Sequence, residues 1–169
     1  MVVLNDISKK LIMKTTHTIK YSLLMGIGLI VYFLIINSIG LAAQSYLSFF
    51  NAIIVGAGIF FVIRDVYKNQ TQFKYMDGFV AGVTSGFIAT LIFTVFMAIY
   101  LFEINPELAQ ELKTQITTAG NGIEFALILF IFLSGFATSI VTPLVILPLY
   151  KRSWNTREVR SKQKPLNQR

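Results

Sequence analysis

The chain has 169 residues, 54% of them hydrophobic and only 14% charged, yet its formal net charge is +7. Soluble domains carry about 25% charged residues, and the mean hydropathy here is +0.65. This balance excludes a disordered chain and a disulfide-built scaffold, since there is no cysteine, and argues against a soluble enzyme; it fits a small, basic integral membrane protein.

In chain order, residues 1–20 come first. Val3, Leu4, Ile7, Leu11 and Ile12 recur at helical spacing among lysines. This predicts an amphipathic helix lying in the membrane interface, its lysines toward lipid phosphates; a helix that binds a partner is the alternative. Residues 21–63 then carry no Asp, Glu, Lys, Arg or His. One helix of that length would reach about 65 Å, twice the hydrocarbon thickness. The run therefore folds back, with the turn at Gly40-Leu41-Ala42-Ala43-Gln44-Ser45 and spans at 21–39 and 46–63. Two further charge-free runs, 78–102 and 125–150, each fit one span. Their continuity lacks the period-two alternation of barrel strands. The expected fold class is an all-α membrane protein, a four-helix transmembrane bundle.

Between the last two spans, residues 103–124 form an outer loop. Asn105 is placed to cap a helix with Pro106 at its first position and Glu107 in its first turn. Leu108, Leu112 and Ile116 give it an apolar face to about Thr117, and Gly120-Asn121-Gly122 breaks it. A solvated cap and a gate both fit this segment. Residues 151–169 form a basic tail, too polar to fold alone, that would attract anionic lipid.

Loop charges give an orientation. Lys9, Lys10, Lys14 and Lys20, then Arg64, Lys68 and Lys74, then the seven basic residues of the tail make 14 of the 15. With four spans all 14 fall on one side, and only Lys113 falls on the other. The positive-inside rule then puts both termini in the cytoplasm (N-in/C-in). The charge is accounted for by insertion, so a nucleic-acid partner is not expected. Tyr21, Tyr46, Tyr67, Tyr75, Tyr100 and Tyr150 lie near span edges, and Trp154 follows the last span, as interfacial anchors do. The first apolar stretch exceeds a signal peptide's usual 7–15 residues, so an uncleaved span is expected.

Within the spans, Gly78, Gly82, Gly86, Thr90, Thr94 and Ala98 recur every four residues on the third helix. Small residues let backbones approach where water supplies no driving force. The expectation is packing inside the bundle, with a homodimer seam as the alternative. Ala52 with Gly56, and Gly135 with Ser139, are shorter versions. Asn37 and Asn51 are the strongest intramembrane hydrogen-bonding side chains and are placed to meet across the first hairpin, with a polar ligand pocket at the outer mouth as the alternative. Pro143 and Pro148 each remove a helical donor from the fourth span, and a kink near Pro143 is expected. Lys20-Tyr21 with Gly28 is echoed by Lys74-Tyr75 with Gly82, as two parallel helical hairpins would require.

No ionisable side chain lies deep in a span, and the single His17 excludes a multi-histidine metal site within one chain. An enzyme, a metal and a cofactor are therefore not expected. Lys74-Tyr75-Met76-Asp77-Gly78-Phe79, the small-residue third span and its end at Ile104-Asn105-Pro106-Glu107 resemble a bacterial domain-of-unknown-function family of small four-span membrane proteins. That resemblance implies an inner-membrane location, no assigned activity and no functional residues. The leading functional expectation is a non-enzymatic membrane component acting through helix packing with itself, as a homo-oligomer, or with a membrane-protein partner. A small-solute or lipid transporter or channel is the alternative. A cavity lined by Thr90, Thr94, Thr138 and Thr142 favours transport; a solid interior with exposed small-residue grooves favours association.

Overall fold

A computed structural model of the chain describes residues 2–69, 73–115 and 123–150. It contains α1 (Val2–Ser38), α2 (Phe49–Asn69), α3 (Tyr75–Ile99), α4 (Pro106–Gln115) and α5 (Ile123–Ile146). Short turns adjoin them: a 3-10 turn at Ser45–Ser48, a π turn at Tyr100–Ile104 and a 3-10 turn at Leu147–Tyr150. Four stretches are long and apolar enough to cross a membrane: Thr18–Ser38, Tyr46–Asn69, Tyr75–Ile104 and Phe125–Tyr150. The protein is an all-α membrane bundle. The last stretch matches the expected span, and the others extend by three to six residues into charged sequence. A charged residue ends the hydrocarbon-compatible run but not the helix, because Arg64, Asp65 and Lys68 keep their backbone bonds in α2.

The helix expected to lie separately over residues 1–20 is continuous with the first span. Val2–Lys20 holds no proline or glycine to break it. At its other end α1 stops in a Schellman motif. Gly40 adopts φ +73°, its N–H donates to the Asn37 carbonyl at 3.0 Å, and the Leu41 N–H donates to the Ile36 carbonyl at 3.0 Å. These bonds satisfy carbonyls the helix end leaves open, and the left-handed backbone favours glycine. The Tyr32 hydroxyl then donates to the Leu47 carbonyl at 2.9 Å, tying α1 to the turn that starts the second span.

α3 is the central helix: it packs on α1, α2 and α5, and its span is the most buried of the four. α1 and α3 run parallel, with Phe33 edge-on to Phe93, Phe96 and Tyr100. α5 runs antiparallel to α3. The apolar core gathers Met25 and Leu29 of α1, Val55, Ile59 and Ile63 of α2, and Ala89, Phe93 and Met97 of α3. Leu108 and Ala109 of α4 are buried against one end of this core. Tyr67, Phe73 and Tyr150 form a ring cluster at the other end, joined by Phe60 through Tyr150.

Candidate functional site

The α3 stripe is the framework from which the interior is built. A Cβ placed on Gly78 would meet Leu147 Cδ2 at 2.8 Å, and one on Gly82 would meet Pro143 Cγ at 2.9 Å. One on Gly86 would meet Ser139 Cβ at 2.8 Å, and one on Gly135 would meet Thr90 Cγ2 at 2.6 Å. Every fourth residue of α3 thus faces every fourth residue of the fourth span, in antiparallel register. Ile59 of α2 closes on Gly82 and Gly86 from another side. Thr94 continues the buried face, and Ala98 is partly buried. The stripe is an internal interface with its small-residue face covered.

Pro143 sits in α5 with its ring in the notch that Gly82 leaves. Its missing N–H is offset by this close fit. Pro148 lies outside α5, exposed, in the 3-10 turn that ends the span. The hydroxyls of Thr138 and Ser139 donate to their own helix, to the Ser134 and Gly135 carbonyls at 2.8 Å. They do not turn to the Ser139 carbonyl that Pro143 leaves without its donor.

The two asparagines do not meet, which corrects the expected pairing across the hairpin. Asn37 Nδ2 instead donates to the Tyr100 hydroxyl at 2.8 Å, linking α1 to α3. The parallel packing of α1 on α3 brings these two helix ends together, and each asparagine faces a different neighbour. Tyr100 is only 7% exposed, so it is a packed hydrogen-bonding residue and not a lipid anchor. Tyr46 and Tyr75 are exposed, as anchors are. Asn105 caps α4, its Oδ1 accepting from the Leu108 N–H at 3.1 Å, with Pro106 at the first helical position.

Asn51 faces a cavity of about 150 Å³ between the helices. The floor is Leu29, Val55, Thr90 and Phe93, each under 10% exposed. Ser48 and Ala52 on one side, and Phe130 and Ser134 on the other, form a rim that opens toward lipid between the second and fourth spans. Thr138 also lines it; Thr94 and Thr142 do not. Leu29, Thr90 and Thr138 lie near the middle of their spans, whereas Asn51 lies close to the start of its own. The space therefore runs from near one membrane face to the midplane. Asn51 Oδ1 is buried, with no donor among the described residues. Thr94 Oγ1, elsewhere in the bundle, is likewise buried with no partner among the described residues. The sequence points to Asn51, Thr90 and Thr138 as residues that could line such a space, but its place and its opening depend on how α2 and α5 splay around α3.

A second, polar concavity of about 250 Å³ lies at the end of the bundle, between the α1–α2 connection and α4, with Asn37, Asn105, Glu107 and Glu111 among its lining. Among the described residues, no group of three or more His, Cys, Asp or Glu side chains is arranged to hold a metal ion.

Four apolar helices, three of them packed around the central, glycine-bearing one, define a multi-pass helical membrane protein. A family described as "Protein of unknown function (DUF4199)" matches residues 20–125. The chain belongs to this family. The match takes in the first three spans and α4, and it ends where α5 begins. No curated protein and no solved structure gives a significant match.

Proposed function

We propose that the protein is a non-enzymatic membrane component that holds a small, membrane-soluble molecule in the side window between the second and fourth spans. The observation that carries this reading is the cavity itself: a buried, mostly apolar floor, a rim at the surface between the second and fourth spans, and the Asn51 amide in its wall, whose Oδ1 has no donor among the described residues. Binding sites are concave and mostly apolar, with few convergent polar groups. Among the described residues, the polar ones buried in the bundle are Thr18, Ser22, Ser85, Thr90, Thr94 and Ser139. Neutral hydroxyls orient a ligand, but at neutral pH they offer little acid–base chemistry without an activating base. That supports binding or transport over catalysis.

This is the small-solute or lipid reading of the sequence. Association with a second copy through the α3 stripe is the weaker one, because α2 and α5 already cover that face. The charge distribution supports an inner membrane with both chain ends cytoplasmic, and the basic tail beyond Tyr150 suits anionic lipid.

The test is mass spectrometry of small molecules retained by the protein purified from native membranes in mild detergent. Wild type is expected to retain a species that the cavity-filling variant Ala52→Phe loses. Equal retention by both proteins, or none by either, overturns the reading. Crosslinking in the same membranes addresses association: a stoichiometric partner or homo-oligomer that survives in Ala52→Phe, with nothing retained in the window, makes association the function.

A further inference from the structure

The side window specifies a class of ligand. Resting on the proposed binding role, we propose that it takes a neutral, hydroxyl-bearing membrane amphiphile of the long-chain alcohol class. The hydroxyl would sit on the Asn51 amide and the hydrocarbon chain against the mid-span floor. Four observations converge on this assignment.

The Asn51 side chain lines the cavity, and its Oδ1, packed out of contact with that space, has no donor among the described residues; a half-turn of the amide brings Oδ1 to the cavity, where a ligand that donates a hydrogen bond gains an interaction that an alkane cannot make. A hydroxyl both donates and accepts, so it serves whichever end of the amide turns inward. The cavity carries no charged side chain, and bringing a carboxylate or ammonium into such a space is heavily penalised. The depth also fits. Asn51 lies about 8 Å inside the span that starts at Tyr46, counting 1.5 Å per residue. That leaves the polar end below the headgroups, while Leu29, Thr90 and Thr138 line the path to the midplane. A volume of about 150 Å³ is comparable to that of a cavity that admits benzene. It encloses the hydroxyl and the first carbons, and the rest of the chain passes out between Ala52 on one side and Phe130 and Ser134 on the other.

The experiment measures thermal unfolding of the purified full chain in phosphatidylcholine nanodiscs, titrated with 1-dodecanol, dodecyl methyl ether, dodecane and dodecanoate. The wild type is expected to show saturable stabilisation by 1-dodecanol, with an apparent affinity 3- to 10-fold above the ether and the alkane, the span of one neutral hydrogen bond. Asn51→Leu should erase that preference while raising the melting temperature of the ligand-free protein, because an unsatisfied buried acceptor is removed. Ala52→Phe should abolish saturable binding of every probe. Equal affinities for dodecanol, ether and dodecane in the wild type, all lost in Ala52→Phe, overturn the hydroxyl assignment and leave the binding role standing. Preference for dodecanoate overturns it in the same way. Saturable binding of no probe, with all three proteins responding alike, overturns the binding role itself. If Asn51→Leu does not fold, Asn51→Ala replaces it with the same expected loss of preference.

Discussion

Each small residue of the α3 stripe matters in proportion to what stands opposite it. Gly86 faces the Cβ of Ser139 at a spacing no side chain could keep, whereas a Cβ on Gly56 would touch only Thr142 Cγ2 at 3.9 Å. Gly86→Ala should therefore lower stability by about 1–3 kcal/mol, the usual penalty for overpacking a close-fitted interior. Gly56→Ala should leave it unchanged or slightly raised, since alanine is the better helix former. Detergent melts of the two variants make the comparison; equal melting temperatures would mean that the α3–α5 contact is looser than described. Tyr100→Phe removes the acceptor of the Asn37 amide. It should cost about 0.6–2 kcal/mol, the range for hydrogen bonds between spanning helices, measured by unfolding in bicelles. At this scale the sequence was partly legible. The period of four marked a close-packed face, because only small side chains repeat there. Which residue Asn37 bonds was not legible, since Tyr100 is 63 positions away and an edge tyrosine has an equally good reading as a lipid anchor.

Among the elements, α4 is the most locally encoded. Asn105-Pro106-Glu107 starts it, and the Asn105 side chain closes on the Leu108 N–H at 3.1 Å. Asn105→Ala removes that bond and should destabilise the helix by about 0.5–2 kcal/mol. The readout is faster amide exchange at Leu108 and its neighbours, with the global melt little altered, because α4 is short and docks through Leu108 and Ala109 at the edge of the core. A global melt that falls together with the exchange rates would mean α4 is integral to the bundle. α1 shows the opposite balance. Its end near Gly40 was readable as a turn, since the charge-free run is twice the hydrocarbon thickness and its apolar character weakens there. Its start was not, because amphipathic spacing is the same in a helix lying on a membrane and in one that continues into it.

For the whole molecule, the charge distribution implies that Asn69 and Gln110 lie on opposite sides of the membrane. The chain has no cysteine, so a single introduced one is read without background. A membrane-impermeant maleimide should label Gln110→Cys in intact cells and Asn69→Cys only after permeabilisation. Labelling of both from outside, or the reverse order, would contradict the orientation. The proposed window predicts a further behaviour at this scale. Gly135 meets Thr90 where the cavity floor joins the α3–α5 interface. The double variant Gly135→Ala with Thr90→Ala should therefore be less destabilised than the sum of its parts, since truncating Thr90 makes room for the new methyl. Additive losses in a double-mutant cycle would show that the contact is not shared.

The sequence by itself determined the number of spans, the turn at Gly40, the cap of α4 and the small-residue face of α3. These follow from hydrocarbon thickness, backbone conformation and side-chain size, all of which act locally along the chain. Only the tertiary structure decided that the stripe meets the fourth span residue for residue, that Asn37 pairs with Tyr100, and that Asn51 is left facing a lipid-side cavity. Those outcomes depend on register and splay between helices. In a bilayer they are set by shape complementarity, because lipid is as apolar as the helix faces and hydrophobicity cannot choose among them.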